Sequence, residues 1–321
     1  MKCFGLILLS MTSITVSSVV FLGTVVLLGT TVLGQDDSEV VHRQASAALS
    51  EAPGKEFVYK QSGGKEKVME IYFPKDHDPS AKRVPAILMF HGGGWSSGSL
   101  KQFRAACQYF ASRGIVAATA NYRMLDKGEA AKLNRSTSKK RVCVTDAKSA
   151  IRWMKQNAEK LGIDPEKLVV GGGSAGGHVG LLATTNPDLN DPNDPLEIST
   201  RVAGYVLFNP AFTEEDSVDA EIDGQKHIGA VDAPAVVFFG TNDPWKKGWD
   251  GVEAKWRNVE RSQLQVFLAP QQPHGFFNRG AWQIATLREA DVFLASIGIL
   301  SGEPTLAPAE SARLEKQNSV R

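Results

Sequence analysis

Cysteine is scarce in this chain, with three residues in 321 and no C-x-x-C pair. That excludes a small disulfide-stapled domain and a zinc ribbon, both of which need closely paired cysteines. The six histidines are scattered and no two stand at H-x-x-x-H spacing, so no metal site and no cofactor are expected. Charge of one sign is also missing, since 36 Lys and Arg meet 35 Asp and Glu for a net charge of +1. No global field therefore favours nucleic acid or an anionic membrane as a partner. What remains is 42% hydrophobic and 22% charged, a composition that buries a large core.

One long apolar run stands at the amino terminus. Lys2 precedes an uncharged stretch from Cys3 to Gly34, and Asp36 and Asp37 end it. Residues 1–34 read as an export signal peptide with a cut before Gln35; their length equally suits an uncleaved membrane anchor. Both readings place the rest outside the cytoplasm, periplasmic or secreted. Residues 35–54 read as a linker, 55–300 as one catalytic domain and 301–321 as a disordered tail. Beyond the leader only Cys107 and Cys143 remain. Their helices belong on opposite faces of the sheet, so two reduced thiols are expected.

Between these ends, strands and helices alternate. Lys55 to Lys60 and Lys67 to Pro74 read as an edge hairpin. Val84 to Phe90, Ile115 to Ala120, Leu168 to Val170, Val202 to Phe208, Ala233 to Phe239 and Leu264 to Leu268 read as buried strands. Helices are expected over 99–113, 145–161 and 282–297, with another near 251–260. That order implies an α/β fold, a mostly parallel central sheet with helices on both faces. The stretch from Met124 to Arg141 carries six basic residues and reads either as a solvated loop or as a flap facing anionic substrate groups.

Chemistry in such a sheet collects at the carboxyl ends of the strands. There the chain places Gly172-Gly173-Ser174-Ala175-Gly176, a G-x-S-x-G turn between a strand and a helix. A serine hydroxyl is a weak nucleophile alone, so it needs a base and an orienting acid. His274 would take and return the proton, and Asp243 would orient the imidazole. Asp250 and Asp223 rival Asp243, but only Asp243 follows a strand directly. His227, His42 and His77 are poorly placed as bases. His91 reads as a loop anchor and His178 as a packed helix residue, while Arg123 and Asp146 read as a structural pair. Backbone N–H groups of Gly93, Gly94 and Ala175 are the candidate oxyanion donors.

These motifs resemble the hormone-sensitive-lipase-like carboxylesterases of the α/β-hydrolase fold. The resemblance rests on His91-Gly92-Gly93-Gly94-Trp95, Asn121-Tyr122-Arg123, Asp146 to Ala150, Gly173 to His178, Asp243-Pro244 and His274-Gly275-Phe276, spread over about 220 residues in family order. It implies a serine esterase that uses no cofactor, most similar to exported bacterial acetyl or feruloyl esterases. The chain departs from many relatives in leaving little room for a helical cap. An open site suits a short acyl group on a bulky alcohol, so the expected partner is a small ester or an esterified carbohydrate. Trp95, Phe212 and Phe277 are the expected apolar walls. A non-catalytic binding protein or a serine peptidase on the same fold stand as alternatives.

Overall fold

The fold is seen in a computed structural model. It describes residues 49–317 apart from 63, 126, 133–137 and 260–262. The expected export segment 1–34 and most of the linker 35–54 lie outside the described residues. The strands are β1 (Lys55–Ser62), β2 (Lys65–Tyr72), β3 (Val84–Phe90), β4 (Val116–Ala120), β5 (Ile163–Gly173), β6 (Gly204–Phe208), β7 (Ala235–Gly240), β8 (Leu264–Ala269) and β9 (Glu315–Lys316). The helices are α1 (Arg104–Ser112), α2 (Lys127–Lys132), α3 (Ser138–Gln156), α4 (Ala158–Leu161), α5 (Ala175–Thr185), α6 (Gly224–His227), α7 (Lys246–Trp256) and α8 (Gly280–Ser296).

The strands form one sheet in the order β1-β2-β4-β3-β5-β6-β7-β8-β9. The hairpin β1–β2 forms one edge and joins β4 antiparallel. From β4 through β8 every pairing is parallel, and β9 pairs antiparallel with β8 at the far edge. Parallel strands need helical crossovers, which cover both faces, and this is why the central strands read as unbroken apolar runs.

Alternation along each strand sorts the core into two layers. On β3, Ile87 and Met89 join Phe103, Phe110 and Cys107 of the α1 region and Leu287 and Leu294 of α8. Leu88 and Phe90 point the other way, into Cys143, Ala147 and Met154 of α3 and Val179 of α5. Trp249 and Trp256 of α7 extend that second layer over Leu207 and Phe239. Each fully buried Leu, Ile, Val, Phe or Met among them contributes roughly 1.5–3 kcal/mol. Cys107 and Cys143 are free, buried and on opposite layers.

Two expectations about the chain's segments differ from the structure. The segment 301–317 is no free tail: Leu306 and Ala312 are buried, and Glu315–Lys316 form β9. Apolar residues every few positions, hidden among Pro and Ala, give it contact with the core. The basic stretch before Arg141 is not a loop throughout, because α3 already starts at Ser138 and α2 covers Lys127–Lys132. Lys140 pairs with Asp216, and Arg141 with Asp219 and Glu221. Those acids neutralise Lys140 and Arg141, two of the six basic residues of the stretch.

Candidate active site

The site sits where β3, β5, β7 and β8 end. Ser174 forms the corner between β5 and α5, with φ 52° and ψ −121°. A side chain at positive φ costs of order 1–3 kcal/mol and persists only where the surroundings fix it. Here the Ser174 N–H donates to the Phe208 carbonyl at 2.9 Å, and the Ser174 carbonyl accepts from the Ala211 N–H at 2.9 Å. The turn is tight enough that a Cβ on Gly176 would stand 2.0 Å from the Phe90 carbonyl oxygen. Glycine there is a steric requirement, and it explains the G-x-S-x-G spacing.

His274 lies in the loop after β8, and its Nε2 is 2.8 Å from Ser174 Oγ. Its Nδ1 is 2.8 Å from Asp243 Oδ2 in the loop after β7. A carboxylate only accepts, so Nδ1 carries the hydrogen and Nε2 is left as the acceptor facing the serine hydroxyl. Asp243 is buried and its Oδ1 also accepts the Trp245 N–H at 2.9 Å, so both carboxylate oxygens are held. Of its rivals, Asp250 pairs with Lys246 and Asp223 caps α6 through the Gln225 N–H. Neither reaches His274.

The loop after β3 faces this trio. Gly93, Gly94 and Trp95 have φ of 120°, 62° and 59° in succession. A Cβ on Gly93 would stand 2.1 Å from the Ser97 carbonyl oxygen, so only glycine fits. Gln102 Oε1 accepts the Gly92 N–H at 2.6 Å and pins the start of the loop. Ala175 is the first residue of α5, where free N–H groups and the helix dipole favour negative charge. His91 is buried, stacks on Tyr122 at 4.5 Å, and receives the Tyr122 hydroxyl on its carbonyl. Burial lowers its pKa, which suits a neutral anchor. Arg123 and Asp146 pair at 2.8 Å, and Lys60 joins Asp146 at 2.7 Å.

A cavity of about 350 Å³ opens over Ser174, lined by Trp95, Gln102, Trp245, His274 and Phe277. Its neighbours Gly93, Gly94 and Trp245 are exposed, so it is open to solvent. Phe212, expected as a wall, is not in this cavity. It packs on His178 at 5.1 Å and Trp249 at 5.9 Å. From there it borders a second cavity of about 520 Å³, which shares Trp95 and Trp245 with the first. A further cavity of about 460 Å³ beside Trp153 holds none of these residues, so size alone does not mark the site.

Three site residues escaped the sequence reading. Trp245 stands 5.9 Å from the His274 ring, and its place two residues after Asp243 was the available signal. Asn209, just past β6, has φ 37° and accepts the Gly275 N–H at 3.2 Å. Its position at a strand's carboxyl end could have suggested it. Gln102 carried no signal, because its role depends on a chain approach that no local pattern encodes.

A nucleophile elbow, a strand-end acid and histidine, and a glycine loop on a mostly parallel sheet define the α/β-hydrolase fold and a serine-hydrolase arrangement. The family model BD-FAE matches residues 69–203. Esterase LipQ of Mycobacterium tuberculosis is 29% identical over 152 residues, covering 47% of this chain and 32% of LipQ. Carboxylesterase NlhH of the same species is 28% identical over 144 residues, covering 43% of this chain and 41% of NlhH. The chain thus spans less than half the length of these curated relatives. It spans nearly all of a solved one: the apo form of Thermogutta terrifontis esterase 2 is 36% identical with TM-score 0.69, covering 79% of this chain and 98% of that one. The propionate-bound form gives 36% and 0.68 over the same shares. The chain belongs to the α/β-hydrolase carboxylesterases of the hormone-sensitive-lipase-like group.

Proposed function

We propose that the protein hydrolyses carboxylic esters with short acyl chains through Ser174, His274 and Asp243. The observation that carries this is the unbroken hydrogen-bonded chain Ser174–His274–Asp243, with both links at 2.8 Å. Ser174 Oγ attacks the ester carbonyl while His274 Nε2 takes its proton. Asp243 holds the imidazole in the needed tautomer and stabilises its charged form. The carbonyl oxygen becomes an oxyanion held by the N–H groups of Gly93, Gly94 and Ala175. His274 then returns the proton to the leaving alcohol, and water repeats the sequence to release the acid. A complete Ser-His-Asp set argues for an enzyme over a binding protein, which needs none of this alignment.

The limited volume beside Phe277 and Gln102 supports a short acyl group, as does propionate in the similar T. terrifontis structure. The cavity beyond Trp245 supports a bulky polar alcohol. Its lining carries Lys139, Lys140, Lys247, Glu214 and Glu215, charges of both signs that can bond hydroxyl groups. Trp245, 37% exposed, offers a flat aromatic face to a sugar ring. An esterified carbohydrate fits that cavity better than a fatty alcohol. Export through residues 1–34 belongs to the same reading, and mass analysis of the mature amino terminus in a fractionated culture tests it. The core test is a set of p-nitrophenyl esters assayed with the unaltered protein and with Ser174→Ala. Turnover that is independent of Ser174 overturns the mechanism.

A further inference from the structure

Behind the glycine loop lies a buried polar set that the reaction does not use. Trp95 is only 3% exposed, yet its backbone sits at φ 59°, the last of three consecutive residues at positive φ. For a bulky side chain that conformation is costly and must be held by contacts. Three such contacts fall on the indole. Its N–H donates to His178 Nδ1 at 3.3 Å, its ring meets the imidazole nearly edge-on at 5.4 Å, and Lys140 Nζ lies 4.1 Å over it.

His178 is held in turn. An indole N–H only donates, so Nδ1 is the bare acceptor and Nε2 bears the hydrogen. Nε2 donates to the Ile222 carbonyl at 3.2 Å and lies 3.7 Å from Asp216 Oδ2. Asp216 is fixed by the Thr213 N–H at 2.8 Å, the Thr213 hydroxyl at 2.7 Å and Lys140. Burial lowers the His178 pKa to about 4, which keeps this neutral tautomer in place at ordinary pH. His178 stands on α5 one turn beyond Ser174 and Ala175. One helix therefore carries the nucleophile, one oxyanion donor and the acceptor that holds the opposite loop.

We infer that His178 is a positioning residue which, braced by Asp216 and Lys140, sets the Gly93–Gly94 donors by accepting the Trp95 indole N–H. The inference rests on the reading that those glycine amides bind the oxyanion. A misplacement on the order of 1 Å there can cost about a hundredfold in rate.

Two substitutions separate positioning from mere packing. His178→Asn places an amide oxygen near the Nδ1 position and can still accept from Trp95. His178→Gln places its amide near the Nε2 position, keeps the bond to Ile222 and gives Trp95 no acceptor. The kcat and KM for p-nitrophenyl acetate are measured for both, for Trp95→Phe, and for the Trp95→Phe, His178→Gln double variant. His178→Gln should lower kcat roughly ten- to a hundredfold with KM within about twofold, and His178→Asn should stay within about threefold of the unaltered protein. Trp95→Phe alone should lose kcat like His178→Gln, and the double variant should lose little more. Asn no better than Gln, additive losses in the double variant, or a neutral Trp95→Phe overturns the inference. If the histidine variants do not fold, Trp95→Phe alone decides. Ser174→Ala in the same assay keeps the outcomes apart, because its activity bears on the mechanism and not on His178.

Discussion

His274 Nε2 stands 2.8 Å from Ser174 Oγ across a separation of 100 residues. That alignment depends on three strand ends and leaves the fold itself little dependent on the hydroxyl. Ser174→Ala should therefore lower kcat by a factor on the order of 10⁴ to 10⁶. The corner at φ 52° strains alanine and serine alike, so the melting temperature should move by no more than a few degrees. Steady-state kinetics and thermal melts on one preparation check both halves. Near-normal turnover would remove Ser174 from the mechanism.

Asp243→Asn tests the tautomer. Asparagine keeps the shape, but its amide nitrogen can donate to His274 Nδ1 and drive the imidazole hydrogen onto Nε2, where it faces Ser174 and blocks proton acceptance. A loss of about 10⁴ in kcat is expected, with circular dichroism unchanged. A loss under about tenfold would mean that Asp250 or another carboxylate orients the ring.

Much of this was legible from residues alone, for a definite reason. The elbow, the glycine loop and the strand-end Asp and His are each set by local backbone demands, and local demands leave local patterns. The apolar strands were legible because burial on both faces requires unbroken runs. Phe212 was misplaced because it sits a few residues past β6, near the right strand end. Which way it turns is decided by His178 and Trp249, from elements 34 and 37 residues away. The helical start of α3 was hidden because polar Lys140 and Arg141 look solvated until Asp216 and Asp219 are brought opposite them. Leu306 and β9 were hidden in a polar tail whose few apolar residues show no period.

Acyl-chain length should matter in one direction. The cavity over Ser174 is only about 350 Å³, and Phe277 lines it. kcat/KM should fall from p-nitrophenyl acetate or propionate to the octanoate. A flat or rising series would contradict the short-chain reading while leaving Ser174 and His274 in place.

Trp245 lines both cavities, so its removal should distinguish the alcohol from the acyl group. Its backbone N–H holds Asp243, and that bond survives Trp245→Ala. Its ring faces the second cavity and should stack on the alcohol. Loss of one aromatic face, about 1 kcal/mol, should lower kcat/KM for an acetylated xylo-oligosaccharide roughly fivefold. The value for p-nitrophenyl acetate should change less than about twofold. Equal losses on the two substrates would assign Trp245 to the support of Asp243 instead.

Stability should fall in mild acid, and His178 should account for a definable part of the fall. Burial lowers its pKa from an ordinary 6.5 to about 4, partly opposed by Asp216 and reinforced by Lys140, the charged groups beside it. Between those two values the unfolded chain binds a proton that the folded one does not. By linkage the contribution is complete above pH 6.5 and is lost as the pH falls towards 4, by up to about 1.4 kcal/mol per pH unit. Asparagine does not titrate, so His178→Asn should flatten this part of the profile. Urea melts at pH 7.5, 6, 5 and 4.5 measure the difference between the two proteins, which cancels the titration of carboxylates common to both. The gap should close or reverse in favour of the variant as the pH falls. A constant gap from pH 7.5 to 4.5 would mean that His178 takes up its proton as readily in the fold as in the unfolded chain, which a buried imidazole with Nδ1 held as an acceptor should not do.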